Sequence, residues 1–196
     1  MRINRDDYSP SFLVMSGFVS GLFFTANEYK ESAHVLSQSP CHPKTYTVHL
    51  LASLSVELYL KCLLAFIICE KYTGDFTTSV NNINCEIEKS IAQYGHDLKK
   101  LIDDIPNIQT DLGITSFTDC KNGRIDQYEV ERGTDFFIIK SLMAVRYGLY
   151  SKNKDNGIIA VYDEILLKFL DDLEQYVNDK QTQVYHTLLA GMNKSY

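Results

Sequence analysis

One stretch of this chain decides its fold: residues 50–69, which read LLASLSVELYLKCLLAFIIC. Apolar residues cover most positions of a helical wheel over this stretch, so a helix formed here is apolar on most faces and must be surrounded by other helices. Its only charged residues are Glu57 and Lys61, near the centre. Because charges are costly at the centre of a lipid bilayer, the stretch favours a helix buried in protein over a membrane span.

The segments on both sides of this stretch show the periodicity of helices. We predict helices over about residues 11–38, 45–72, 84–105, 128–150 and 158–178, and a short helix over about 184–189. Gly95 is expected to break the third, because glycine inside a helix costs about 1 kcal/mol relative to alanine. The periodicity fails over 106–126, where Asn122-Gly123 signals a turn and a small hairpin could form over 117–125.

No alternation of strands and helices is visible, and the predicted fold class is therefore all-α. We expect an up-and-down bundle of four long helices plus a shorter one, with an irregular insertion around residues 106–126. The length of 196 residues fits a single domain over 1–196, with a core over about 12–178 and a tail over 179–196.

The composition is that of a soluble globular protein, with 45% hydrophobic and 22% charged residues. A net charge of −6 argues against a broadly basic protein that coats nucleic acid. Residues 155–179 hold seven acidic residues and one lysine, which account for all of this charge. We predict that these acids form a solvated face of the last long helix, which leaves a local site for an anion open elsewhere.

The five cysteines match no disulfide framework and no zinc pattern, and we predict neither a cofactor nor a metal site. Reduced thiols indicate a cytoplasmic protein. The apolar run over residues 12–24 resembles the core of a signal peptide, but Asp6 and Asp7 precede it and no small-residue cleavage site follows. We therefore expect no signal peptide and no membrane span.

Glu57 and Lys61 are the first of three groups of residues that could carry chemistry. They stand four apart in the acid-then-base order that favours pairing on a helix. A simple ion pair explains them, but a charge pair on a central helix loses hydration and needs further partners. The alternative is that both side chains face a polar cleft or an interface.

The second group is Gly95-His96-Asp97-Leu98-Lys99-Lys100. A helix start explains it, with Asp97 near the positive end of the helix. The functional alternative is a titratable imidazole at the end of a groove, with Lys99 or Lys100 nearby for an anion.

Arg146 and Tyr147 form the third group. An arginine after an apolar run is commonly a helix-end residue, stabilised there by the helix dipole. It is also suited to bind a phosphate or carboxylate through two hydrogen bonds. The surrounding residues 140–155 hold four basic residues against one acid, which supports an anion site.

The three groups together resemble the motifs of HEPN (higher eukaryotes and prokaryotes nucleotide-binding) domains. Residues 51–61 resemble the second-helix pattern Ala-x-x-x-x-Glu-x-x-x-Lys of that family, residues 95–101 resemble its GHDLxxL segment, and residues 144–147 resemble its late Arg-Tyr element. Residues 29–36 are similar to its first helix. The resemblance extends over about residues 12–177 and implies a helical bundle that is often a homodimer.

HEPN domains bind nucleotides or RNA, act as partners of minimal nucleotidyltransferases, or cleave RNA without a metal in toxin and defence systems. The RNA-cleaving members carry Arg-x4–6-His, whereas Ser151, Lys152 and Asn153 occupy the corresponding positions after Arg146. The resemblance therefore implies a domain that binds a nucleotide, RNA or another phosphate-containing ligand, in a toxin–antitoxin, defence or stress context, without catalysis. The predicted binding residues are Glu57, Lys61, His96, Asp97, Lys100 and Arg146.

Two alternatives stay open. One is a divergent metal-independent endoribonuclease, for which His96, Arg146 and Tyr147 are the catalytic candidates. The other is a non-catalytic module for dimerisation or partner binding, in which these polar residues satisfy one another. The expected partners are a second copy of the chain and a nucleotidyltransferase or antitoxin.

Overall fold

The fold is mostly helical, with a small antiparallel sheet inserted between the helices. The computed structural model describes residues 8–38, 45–122, 125–140 and 156–192. A π-helical turn, Met15–Val19, joins the first two helices. The helices are α1 Pro10–Val14, α2 Ser20–Gln38, α3 Thr45–Lys71, α4 Val80–Tyr94, α5 Leu98–Asp104, α6 Ile108–Asp111 and α7 Asn156–Met192, and the strands are β1 Ile114–Asn122, β2 Ile125–Arg132 and β3 Asp135–Lys140.

Helix α3 lies at the centre of the molecule, as its apolar sequence predicts. It packs against α2 and α7 along its length and also contacts α4, α5 and β3. Its buried side chains come from all around the helix and include Val56, Tyr59, Leu60, Leu63 and Phe66. Helices α2 and α7 cover it because no face of α3 is polar enough to be left in water.

The first predicted helix, over 11–38, is confirmed, and it contains a π-helical turn that the sequence did not indicate. Ser9 caps its start by accepting a hydrogen bond from the Phe12 amide, and Pro10 occupies the first helical position. At the π turn the Ser20 hydroxyl donates to the Met15 carbonyl at 2.9 Å.

Gly95 separates α4 from α5, as predicted. It has φ +55°, a conformation that favours glycine, and α4 ends at the residue before it. Asp97 then caps α5 by accepting a hydrogen bond from the Lys100 amide at 3.0 Å. The three residues between the helices, Gly95, His96 and Asp97, form a tight turn beside α3.

The prediction of a purely all-α fold is wrong, because residues 114–140 form a three-stranded antiparallel sheet in the order β1-β2-β3. β1 and β2 form the hairpin that Asn122-Gly123 suggested, in the register Asn122↔Ile125. Most of the expected irregular insertion over 106–126 is thus regular structure. A two-residue turn at Gly133, with φ +59°, joins β2 to β3 in the register Arg132↔Asp135.

The helix predicted over 128–150 is also wrong for residues 128–140, which form most of β2 and all of β3. Val130, Phe137 and Ile139 are fully buried while their neighbours are partly exposed, which is the two-residue alternation of strands. A short apolar run such as 136–139 fits a helix and a strand equally well by periodicity. The remainder of that predicted helix, residues 141–150, lies outside the described residues.

Helix α7 is a single helix of 37 residues, about 55 Å long. The short helix predicted over 184–189 is part of it, and Val184 and Leu188 are buried against the core. Near its end Gly191 lies against the loop after α3: a Cβ atom built on Gly191 would lie 2.6 Å from Cγ2 of Thr73.

The acidic face of α7 is not simply solvated, as the sequence had led us to expect. Asp171 and Glu174 accept hydrogen bonds from Lys30 of α2 at 3.0 and 2.6 Å, and Lys30 is only 6% exposed. Asp172 pairs with Arg132 of β2. These acids therefore attach α7 to α2 and to the sheet.

Two helical stretches are long and apolar enough to cross a membrane when judged by length and composition alone. They are Pro10–Gln38 and Thr47–Lys71; of the apolar 18-residue window in each, 33% is buried in the first and 72% in the second. The burial of the second is that of a core helix, and core helices meet the same criteria of length and composition. The predicted absence of a membrane span stays a prediction.

Candidate functional site

The Glu57 carboxylate is the centre of a polar cluster on α3. Its Oε1 accepts a hydrogen bond from Nζ of Lys61, one helical turn later, at 2.5 Å. Nδ1 of His96 lies 2.9 Å from Oε2 and 3.1 Å from Oε1 of the same carboxylate. Three of the residues that the sequence singled out are thus brought together.

The three side chains of the cluster differ in exposure to solvent. The side chains of Glu57 and Lys61 are 7% and 12% exposed, whereas that of His96 is 48% exposed. A carboxylate only accepts hydrogen bonds, so Nδ1 of His96 carries a proton and donates it to Glu57. Nε2, on the opposite edge of the ring, makes no hydrogen bond within the described part of the chain and is available to a ligand.

Tyr128 of β2 holds the turn that carries His96. Its hydroxyl accepts a hydrogen bond from the Leu98 amide at 3.2 Å and donates to the His96 carbonyl at 3.4 Å. Sequence reasoning missed this residue because it assigned Tyr128 to the start of a helix. The signal in the sequence that could have found it is the alternation of apolar residues, at 128 and 130, with polar neighbours.

Asp97 and Lys100 follow His96 closely in the sequence, and both have partners outside the cluster. The Asp97 carboxylate caps α5, as its position after Gly95-His96 predicts. Nζ of exposed Lys100 lies 5.1 Å from the centre of the Tyr94 ring, a distance suited to a cation–π contact. Neighbouring Lys99 pairs with Asp103. Lys100 is therefore the cation of this segment that is not held by a carboxylate in the described structure.

Arg146 and Tyr147 lie outside the described residues. Their place in the site stays a prediction from the sequence. Within the described residues, the site consists of Glu57, Lys61 and His96, with Lys100 on the adjoining helix and Tyr128 behind the turn.

Comparisons of this chain with family models, with curated proteins and with solved structures find no match. The geometry of the polar cluster therefore carries the functional inference.

The buried thiols of α3 are poor nucleophiles. Burial raises the pKa of the Cys69 thiol to about 12, and burial also raises the pKa of Cys62. At neutral pH both stay protonated, which makes them unreactive. In the described part of the chain no three histidine, cysteine or acidic side chains are grouped so that they could hold a metal ion.

A second polar cluster, around the buried Lys30, joins α2 to α7, and no pattern in the sequence indicates it. Lys30 bonds Asp171 and Glu174, and Nε2 of His34 lies 3.1 Å from the same Asp171. Burial disfavours the charge on Lys30, but the hydrogen bonds that it donates to Glu174, Asp171 and Glu31 outweigh the cost of burial and raise the lysine pKa. All members are within reach of a partner of opposite charge, and this cluster serves to hold two helices together.

Proposed function

We propose that this chain is a HEPN-like helical domain that binds a nucleotide, RNA or another phosphate-containing ligand without chemical turnover. The observation that carries the proposal is the half-exposed imidazole of His96, held by a buried carboxylate that also binds Lys61. The imidazole presents one ring nitrogen outward, and a protonated ring would donate from it to a phosphate oxygen.

A purely structural ion pair would not require this arrangement. Burying Glu57 and Lys61 on an apolar helix costs hydration, and apolar residues at both positions would pack as well or better. The third member, His96, extends the pair to the surface. Exposed Lys100 adds a positive charge on the next helix, and Arg146 adds another in the sequence motif.

The biological context rests on the motif resemblance. A HEPN-like chain that lacks Arg-x4–6-His fits a role in a toxin–antitoxin, defence or stress system in the cytoplasm. The same resemblance supports a homodimer and a nucleotidyltransferase or antitoxin as partner.

Calorimetric titration tests the binding. ATP and a single-stranded RNA oligonucleotide are titrated into the wild-type protein and into His96→Ala, Lys61→Ala and Arg146→Ala. Loss of a hydrogen bond to a charged ligand weakens binding about tenfold or more, which we expect of His96→Ala and Arg146→Ala; Lys61→Ala should weaken binding indirectly, because it removes the partner of the Glu57 carboxylate that holds His96. His34→Ala is the matched control, because His34 also bonds a carboxylate but lies on α2, and it should bind as the wild type does.

Unchanged affinity in all three variants, or no binding by the wild type, would overturn the proposal. In that case a loss of stability in the same variants would support the non-catalytic module, in which the polar cluster only satisfies itself.

The pairing of His96 with Glu57 also favours a second candidate, a metal-independent endoribonuclease. With Nδ1 bound to Glu57, Nε2 of a neutral ring could take the proton from a 2′-hydroxyl. The 2′-oxygen would then attack the adjacent phosphorus, the bond to the 5′-oxygen would break, and the leaving 5′-oxygen would take a proton from water, which gives a 2′,3′-cyclic phosphate and a 5′-hydroxyl. Arg146 would stabilise the charge on the phosphorus oxygens.

Incubation of RNA with the purified protein and a chelator tests this candidate. Cleavage that His96→Ala and Arg146→Ala abolish, and that His34→Ala leaves unchanged, would support it. Cleavage that persists in His96→Ala would come from another source and would contradict the endoribonuclease candidate.

A further inference from the structure

The outer face of α2 exposes large apolar side chains. Phe24 is 64% and Val35 is 67% exposed, the highest values among the large hydrophobic residues that the structure describes. They stand eleven residues apart, about three helical turns, and therefore lie on nearly the same face. Exposed apolar residues that share a face indicate an interaction surface.

A groove runs beside Phe24, between α2 and the start of α3. Its volume is about 770 Å³, which is large enough for several side chains of a partner. It is lined by Phe24, Asn27, Glu28, Tyr29, Glu31, Ser32 and Leu51.

The groove is negatively charged. Glu28 and Glu31 line it, and none of the basic residues that the structure describes does. Lys30, between them in sequence, is only 6% exposed; it bonds Asp171 and Glu174 of α7 and also pairs with Glu31 at 3.2 Å, which leaves the Glu31 side chain 67% exposed. Within the described residues Glu28 forms no ion pair, so its carboxylate is available to a cation outside the chain.

Before Phe24 in the chain, the same face of the helix has free space around its glycines. A Cβ atom built on Gly17 or Gly21 meets no other atom within 4 Å. These glycines stand seven and three residues before Phe24, on the same side of the helix, so that an occupant can approach the backbone closely there.

We propose that this face of α2 is a docking surface for a basic amphipathic helix of a partner protein. Apolar residues of the partner would cover Phe24 and Val35, and its lysines or arginines would meet Glu28 and Glu31. A second copy of the chain fits less well, because a two-fold pairing along this face sets Glu28 and Glu31 against their own copies. The surface contains none of the residues of the phosphate site.

Fluorescence anisotropy with two synthetic peptides tests the proposal. Both are 20-residue helix formers with one leucine stripe, flanked by lysines in one peptide and by glutamates in the other. The lysine peptide should bind the wild-type protein saturably and the glutamate peptide should not. Phe24→Ala should weaken binding of the lysine peptide about tenfold, the loss expected of a central interface aromatic. Glu28→Gln should reduce the dependence of that binding on salt.

Phe76→Ala is the matched control, because Phe76 is also exposed but lies in the loop after α3. It should bind the lysine peptide as the wild type does. Equal binding by Phe24→Ala and the wild type would overturn the proposal. So would a wild-type dimer in sedimentation that Phe24→Ala converts to a monomer, since the occupant would then be a second copy. Binding to neutral lipid vesicles that needs Phe24 would also overturn it.

Discussion

Nδ1 of His96 lies 2.9 Å from Oε2 of Glu57, although the two residues are 39 positions apart. This bond joins the turn between α4 and α5 to the central helix. Lys61 binds the same carboxylate, so loss of Glu57 would remove the hydrogen-bond partner of both Lys61 and His96. The first prediction follows from this arrangement.

Glu57→Leu should lower the free energy of unfolding by about 3 kcal/mol, because Lys61 is left buried without its counterion. Lys61→Met should cost a similar amount. The double variant should lose far less than the two single losses together, since no unpaired charge remains. Urea denaturation of the four proteins measures the coupling. Additive losses would show that Glu57 and Lys61 do not depend on each other.

Tyr128→Phe should lower stability by about 1 kcal/mol, because it removes the hydroxyl that bonds Leu98 and His96. It should also alter the position of His96, which NMR reports as a shift of the ring protons. Tyr176→Phe is the matched control: it loses a hydroxyl bond to Asp111 and should leave the His96 signals in place. Identical His96 spectra in both variants would contradict a role for Tyr128 at the turn.

Gly191→Ala should destabilise the protein by about 1–2 kcal/mol, because the added methyl group collides with Thr73. The Thr73 side chain cannot rotate freely, since its hydroxyl donates to the Glu70 carbonyl at 2.8 Å. Gly21→Ala should instead stabilise by about 0.5–1 kcal/mol, because its site is open and helical. Thermal unfolding measures both, and Thr73→Ser should restore the stability of Gly191→Ala.

Stability should fall as the pH rises above about 9. Burial raises the pKa of the Cys69 thiol from 9.0 to about 12, and burial also raises the pKa of Tyr59. The unfolded chain releases these protons at a lower pH than the folded chain does, so the stabilisation is complete below the unfolded pKa and is lost above it. Urea denaturation between pH 8 and 11 measures the slope.

Cys69→Ala should remove up to about 1.4 kcal/mol per pH unit from that slope. Cys85→Ala, which alters an exposed thiol, is the control and should keep the wild-type slope. A wild-type slope in the Cys69 variant would mean that this thiol does not contribute.

The sequence was sufficient to predict the elements that depend on local physics. The apolar wheel of residues 50–69 could belong only to a central helix. The four-residue spacing of Glu57 and Lys61 determined their contact, and Gly95 could break the helix because it alone there adopts positive φ at low cost. That His96 then reaches Glu57 is a tertiary result, which no local pattern contains.

The sheet and the second polar cluster could not be predicted in this way. The run Phe136 to Ile139 is too short for periodicity to separate strand from helix, and its pairing with β2 decides the outcome. No local pattern in the sequence predicts a role for Lys30, because its partners Asp171 and Glu174 lie far along the chain in α7. The role of Asp171 and Glu174 was missed for the same reason. An acidic helix face is expected to be in solvent, and only the tertiary structure shows that α2 packs against it.

The distance along the chain between Lys30 and its partners has a consequence for synthesis. Asp171 and Glu174 follow Lys30 by 141 and 144 residues. At about 5–20 residues per second, a ribosome needs on the order of ten seconds or more to reach them. During that interval Lys30 has Glu31 of α2 beside it but lacks the two carboxylates that α7 supplies. The polar contacts that attach α2 to α7 are therefore completed only once α7 has emerged.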